Sequence, residues 1–238
     1  MDPVAAARAL LHEAERVLVI TGAGMSAESG VPTFRGEGEK WRDRHFTDLA
    51  TPEAFAAEPR LIWDWYLYRR NVVVACKPHA GHQRLAEWAT SRSGTTLVTQ
   101  NVDGLHEDAG HPNVQRIHGS LWHNRCTACG LEREDRSLIY EALPLSPCCN
   151  APERPAIVWF GERLASKASQ VAVSASVHAQ VVLVVGTSGI VSTAGSFVRL
   201  ARQVNARVLE VNPARSELFA DLWLPGGARQ MLTEVLSP

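Results

Sequence analysis

Residues 20–35 read ITGAGMSAESGVPTFR and follow directly on the apolar run Arg16–Ile20. An apolar strand that ends in Gly22-Ala-Gly24 lets backbone approach a phosphate closely, and a helix start after it adds N–H donors and a positive dipole end. Gly22-x-Gly24-x-x-Ala27 is therefore a loose dinucleotide-loop pattern, although a plain tight turn in an α/β protein gives the same letters. A hydride-transfer cofactor domain should continue through a helix to a second strand ending in Asp or Glu. Here the chain turns into Val31-Pro-Thr-Phe-Arg-Gly36 instead.

The 238 residues are 45% hydrophobic and 21% charged, a globular composition with room for a large core. A net charge of −1 offers no electrostatic footprint for nucleic acid or an anionic membrane. No apolar run approaches the roughly 18 residues of a membrane span, and the start of the chain lacks a signal pattern, so a cytoplasmic protein is expected. Four of the five cysteines fall within Cys126–Cys149, which suits a metal site better than a disulfide framework.

Outward from the opening strand, the pattern predicts helices over 3–15, 53–75 with a break near Pro59, 81–92, 166–179 and about 194–205. Strands are expected at Thr95–Thr99, Val114–Ile117, Val181–Val185, Arg207–Val211 and Asp221–Leu224. Residues 36–52 are polar and turn-rich, and 124–153 polar and irregular, before an extended Ala156–Phe160. Apolar strands alternating with helices imply a mainly parallel sheet covered on both faces, with ligands outside the carboxyl ends of its strands. Those ends carry Gly22-Ala-Gly24, Gln100-Asn-Val-Asp103, His118-Gly119, Gly186-Thr-Ser188 and Asn212.

In this order GAGMSAESGVPTFR, TQNVDGLH, HGS, a Cys-x-x-Cys segment, VWFGE, GTS and VN resemble a sirtuin, an NAD-dependent protein lysine deacylase. The resemblance spans about residues 16–230. It implies a Rossmann-like NAD domain (1–33, 76–122 and 158–238) and a small domain made of a helical insertion (34–75) and a zinc-binding insertion (123–157). NAD, consumed as co-substrate, and acylated lysine side chains of proteins would meet between them.

The same resemblance assigns residues. His118 matches the catalytic histidine, an imidazole able to act as general base near neutral pH. Gly22, Ala23, Gly24, Ser26, Glu28, Phe34, Arg35 and Trp41 fall in the cofactor loop segment, Phe34 shielding the reacting ribose and Arg35 offering charge. Gln100, Asn101 and Asp103 match the nicotinamide-ribose side, although Asn and Asp after a strand also cap helices. Gly186, Thr187 and Ser188 resemble a second phosphate or ribose site, with Asn212 and Ala228 on the adenosine side. Val158 and Phe160 match the segment that pairs with the substrate backbone as an added strand.

Cys126-Thr-Ala-Cys129 is half of a zinc site by spacing, and Cys148-Cys149 follow after 18 residues, giving four candidate thiolates for one structural zinc. The family's second pair is usually spaced; here Cys149 aligns with the last ligand, Ser146 with the third, and a turn near Pro147 must bring adjacent cysteines to one ion. A degenerate site with little zinc is the competing reading. Tyr66 and Arg69 lie three apart on one helix face; generically Arg69 is a snorkelling arginine or one paired with a carboxylate elsewhere, yet Tyr-x-x-Arg matches the branch that removes negatively charged acyl groups. A guanidinium fork and a phenol suit a terminal carboxylate, and Ala50 matches the small residue that leaves room for a longer chain. Ala156 and Val191-Ser-Thr-Ala194 depart from the usual letters. A Rossmann oxidoreductase, read by nicotinamide absorbance, and a non-catalytic NAD or zinc module, read by binding without nicotinamide release, are the alternatives.

Overall fold

The computed structural model describes residues 2–33, 40–187, 192–218 and 220–237. Six parallel strands form the main sheet in the order Leu222–Leu224, Arg207–Val211, Val181–Val185, Val17–Thr21, Thr95–Thr99, Val114–Arg116. The first strand in the chain lies inside, and the chain winds outward from it in both directions, which is the doubly wound order. β-Branched residues dominate the three central strands, and every residue of Val17–Thr21 and Val181–Val185 is buried. Such continuous apolar runs need cover on both faces. Val17, Val19, Leu183 and Val185 pack with Leu11, Leu85, Trp88 and Leu232 from the helices Pro3–Glu13, Ala80–Thr90 and Ala228–Val235. Leu18, Ile20, Val182 and Val184 pack with Ala172, Phe197 and Ala201 from Ser166–His178 and Ser192–Gln203.

Register decides where the loops leave this sheet. Val17–Thr21 pairs residue for residue with Thr95–Thr99 and with Val181–Val185, and Val211 lies opposite Val185. Gly22, Gln100, Gly186 and Asn212 therefore leave the sheet in one row. The crevice sits between Val17–Thr21 and Val181–Val185, where the winding direction reverses.

The rest is a smaller unit with its own core of Leu49, Ile62, Trp63, Tyr66, Leu121, Trp122 and Trp159. Helices Phe46–Leu49, Pro52–Ala57 and Pro59–Val74 form one half, the Pro59 break falling where proline predicts it. The other half corrects the expectation of irregular chain: Gly119–Cys126, Glu132–Glu134 and Glu153–Ile157 make a three-stranded antiparallel sheet. Its polar letters are bonded inward. Arg70, wholly buried, donates to Leu121 O (2.7 Å), Ser137 O (2.9 Å), Asn124 Oδ1 (2.9 Å) and Asp135 (3.3 Å). Asn124 in turn donates to Glu153, which Arg133 holds at 2.7 and 2.8 Å. The hairpin Lys40–Trp41/Arg44–His45 and the last helix also go beyond the expectations, and no helix among the described residues is long and apolar enough to cross a membrane.

Arg70 joins the two halves of the small unit, so truncating it strands buried acceptors and the Asp135 carboxylate. Arg70→Met should lower unfolding free energy by about 3–5 kcal/mol, read as a shifted denaturant midpoint.

Candidate functional site

The crevice is built from backbone. Gly24 N–H donates to Gly186 O at 2.8 Å, and a Cβ on Gly24 would come within 2.7 Å of Gly186 Cα. Gly186 has φ +60°, and its own Cβ would strike the Gly24–Met25 backbone. Gly24 and Gly186, with Gly22, where a Cβ would lie 2.9 Å from Gly186 O, thus let the first and fourth loops of the sheet touch, leaving their backbone groups to line the corner. Gln100 Nε2 lies 3.3 Å from Thr187 Oγ1, and Asn212 Nδ2 donates to Thr187 O at 3.0 Å, so four loops are bonded into one rim.

Asn101 is buried and donates to Gly22 O (3.0 Å) and Ser26 Oγ (3.2 Å). Ser26 also bonds the Asp103 carboxyl, which burial raises above the usual carboxylate range against the pull of its hydrogen bonds and Arg69. Asp103 additionally accepts Leu105 N–H at 2.9 Å, at the start of the helix Leu105–Asp108. Its loop is pinned from the small unit by Leu121 N–H to Val102 O (2.9 Å) and Trp122 Nε1 to Asp103 O (2.6 Å).

His118 stands one step beyond Ile117, and Gly119, at φ +83°, bends the chain away into the small sheet. His118 Nδ1 lies 3.0 Å from Gln100 O; a carbonyl accepts, so Nδ1 carries the proton and Nε2 presents a lone pair. Burial lowers the imidazole pKa, with the Gln100 bond acting the other way. The ring is therefore neutral near pH 7, in the protonation state a general base needs.

Tyr66 and Arg69 stand together in the small-unit helix, Arg69 Cζ 5.3 Å from the Tyr66 ring and 5.2 Å from Trp65. Tyr66 is buried and its phenol pKa raised, keeping it neutral; its oxygen takes Trp159 Nε1–H at 2.8 Å. The Arg69 guanidinium is lowered by burial, while Tyr66 and the charge of Asp103 act to hold it up. Val158 N–H donates to His118 O (2.9 Å) and Phe160 N–H to Ala50 O (2.9 Å), with the Phe160 side chain exposed. Tyr66, Trp159, Val158 and His118 are thus joined by hydrogen bonds into one connected wall.

Other expected residues lie elsewhere. Glu28 accepts Arg229 N–H at 2.9 Å and, with buried Ala228, forms the start of the last helix. Trp41 packs in the small unit against Tyr68, 6.2 Å between rings. Phe34, Arg35 and Ser188 lie outside the described residues.

Cys126, Cys129 and Cys149 bring their sulfurs within 4.8 Å of one another. Backbone N–H groups of Cys129 and Ala128 hold the Cys126 thiol down to about 6, the environment of a thiolate ligand. This set fits a zinc ion. Cys148, expected as a ligand, is not in that set of three; its thiol bonds that of Cys129, and the turn over Ser146–Asn150 places the Cys149 sulfur rather than that of Cys148 within the set.

Sequence reasoning missed the support beneath the corner. His106 Nε2 lies 3.0 Å from Thr21 Oγ1, which donates to Thr99 Oγ1 at 2.8 Å, and His79 Nε2 lies 2.8 Å from Met25 O. His82 and His111 extend the stack, with ring separations of 4.2, 5.0 and 6.3 Å along His79, His82, His106 and His111. No local pattern marks such residues, because their contacts come from four separate segments.

The Sir2 family model matches residues 22–193. NAD-dependent protein deacylase 2 of Pyrobaculum aerophilum is 42% identical over 229 residues, covering 95% of this chain and 92% of the relative. A Sir2 homologue solved with NAD superposes at TM-score 0.90 with 37% identity, over 96% of this chain and 91% of that one. A Sir2 homologue solved with 2′-O-acetyl ADP ribose gives 0.89 and 37%, over 98% and 93%. Matched over most of its length in sequence and in fold, the chain belongs to the Sir2 family.

Proposed function

We propose that this protein is an NAD-dependent protein lysine deacylase that removes acetyl groups and, through Tyr66 and Arg69, succinyl and malonyl groups. The products are free lysine, nicotinamide and O-acyl-ADP-ribose. The observation that carries the reading is the neutral His118, aimed by Gln100 O at the end of the row of strand-end loops. NAD supplies the glycosidic bond that breaks and the ribose hydroxyls that receive the acyl group. Gly22, Ala23, Gly24, Ser26, Thr187 and Asn212 would hold its phosphate and adenosine side. Gln100, Asn101 and Asp103 would fix the nicotinamide-ribose end, so that binding energy becomes orientation. The acyl oxygen of the modified lysine would attack the ribose carbon as nicotinamide leaves. His118 Nε2 would then take the proton of a ribose hydroxyl as that oxygen adds to the imidate carbon, and water would complete release of the free lysine. Val158 and Phe160 would pair with substrate backbone, reading position rather than sequence. A reducing cytoplasm suits the cysteine thiolates.

Because burial lowers the His118 pKa, activity should be lost only as pH falls through a value below the ordinary 6.5. The acid limb of kcat/KM should therefore lie under pH 6.5, and His118→Ala should abolish turnover to free lysine and O-acyl-ADP-ribose while NAD still binds; turnover close to normal would remove His118 from the mechanism.

Zinc, where bound, supplies a structural crosslink, held by Cys126, Cys129 and Cys149 with Cys148 beside them. Elemental analysis should return about one zinc per chain, lost in Cys149→Ser and largely kept in Cys148→Ser.

A guanidinium fork distinguishes a terminal carboxylate from a methyl group. Arg69→Met should lower the ratio of kcat/KM on succinyl-lysine to that on acetyl-lysine by about 10²-fold or more, measured with matched peptides. An unchanged ratio would leave only the deacetylase reading.

A further inference from the structure

Among the described residues, the Tyr66 phenol proton has no hydrogen-bond acceptor. The phenol oxygen takes the Trp159 indole N–H at 2.8 Å and a bond from Arg69. Indole N–H and guanidinium are donors only. Neither can accept the phenol proton, so it must turn toward a third direction. Tyr66 is 1% exposed, which keeps water from serving as a ready acceptor.

Trp159 is itself held rigidly. Its backbone N–H donates to Glu162 Oε2 at 2.9 Å. The Arg154 guanidinium lies over its ring at 3.3 Å and forms a fork with Glu162 at 2.6 and 2.9 Å. Phe55 packs against it at 5.4 Å between rings. The indole thus has one orientation, and its N–H has one acceptor.

We propose that Trp159 is a specificity-determining positioning residue: by donating to Tyr66, it makes the phenol a donor reserved for an acceptor on the acyl group. This rests on the reading that Tyr66 and Arg69 face the acyl end. An acyl carboxylate satisfies the phenol proton and the guanidinium together. An acetyl methyl leaves the phenol proton without a partner, as it is in the free protein. The preference for acidic acyl groups therefore comes partly from a hydrogen bond that only they gain on binding.

The test measures kcat and KM on succinyl- and acetyl-lysine peptides for the full chain. Trp159→Phe keeps the ring and deletes the N–H, and should lower the succinyl-to-acetyl ratio of kcat/KM about tenfold, chiefly through KM for the succinyl peptide. In a Tyr66→Phe background the same change should move the ratio no further. Full additivity of the two changes would mean that Trp159 only packs, and would overturn the proposal. An unchanged ratio in Trp159→Phe, with a collapsed one in Arg69→Met, overturns it while sparing the acidic-acyl reading. An unchanged ratio in Arg69→Met overturns both. Should Trp159→Phe fail to fold, the indole N–H resonance of Trp159 decides: it should shift on Tyr66→Phe and on binding succinyl peptide. A resonance that stays in place in both sinks the idea.

Discussion

Among the described residues, the row of strand-end loops depends on one backbone contact, Gly24 against Gly186. The two loops come from the strands on either side of the reversal in winding, and each would be displaced by a single methyl group on the other. Their contact closes the floor of the crevice with peptide groups. Side chains from Gln100, Asn101 and Asn212 then bond those peptides into a rim. A residue-for-residue register across the central strands brings the loops level, so no long side chain is needed to reach across.

The small unit is joined to this floor through the segment 100–122. Leu121 and Trp122 hold the backbone of Val102 and Asp103, while His118 bonds back to Gln100 and forward to Val158. His118 and the Gln100–Asp103 loop are thus positioned by the strand Gly119–Cys126, which begins the cysteine-bearing sheet. Gly119 makes this possible, since its left-handed backbone turns the chain directly after His118, where a Cβ would collide with Ala156 O. The Arg70–Asn124–Glu153 network then stiffens that sheet against the helix carrying Tyr66 and Arg69.

What the sequence made legible follows physical lines. Thr95–Thr99 and Val181–Val185 announce themselves because buried parallel strands favour runs of β-branched and apolar residues, and the ligand side follows from their carboxyl ends. His118, Asn101 and Asp103 were readable by position at those ends together with the family resemblance. The antiparallel sheet was not, because its strands are polar and Glu153 and Asn124 are buried through partners from distant segments. The last helix escaped for a different reason: eight residues are too few for a decisive apolar period. Glu28 illustrates a third case, a carboxylate in a motif whose visible partner is the start of that helix. Cys148 and Cys149 are equivalent as letters, and only the turn separates them.

The histidine stack has a consequence for where this protein can work. Burial holds His82 down to about 3 and His111 to about 4, and drives His106 well below its ordinary value. In the unfolded chain each would take up a proton near pH 6.5. Between that pH and those lowered values the unfolded state binds more protons than the folded one, so stability declines on acidification. The floor of the crevice rests on Thr21 and Met25, which two of these rings support. Acid therefore loosens the molecule from beneath its cofactor corner, and the fold carries its own lower limit of pH.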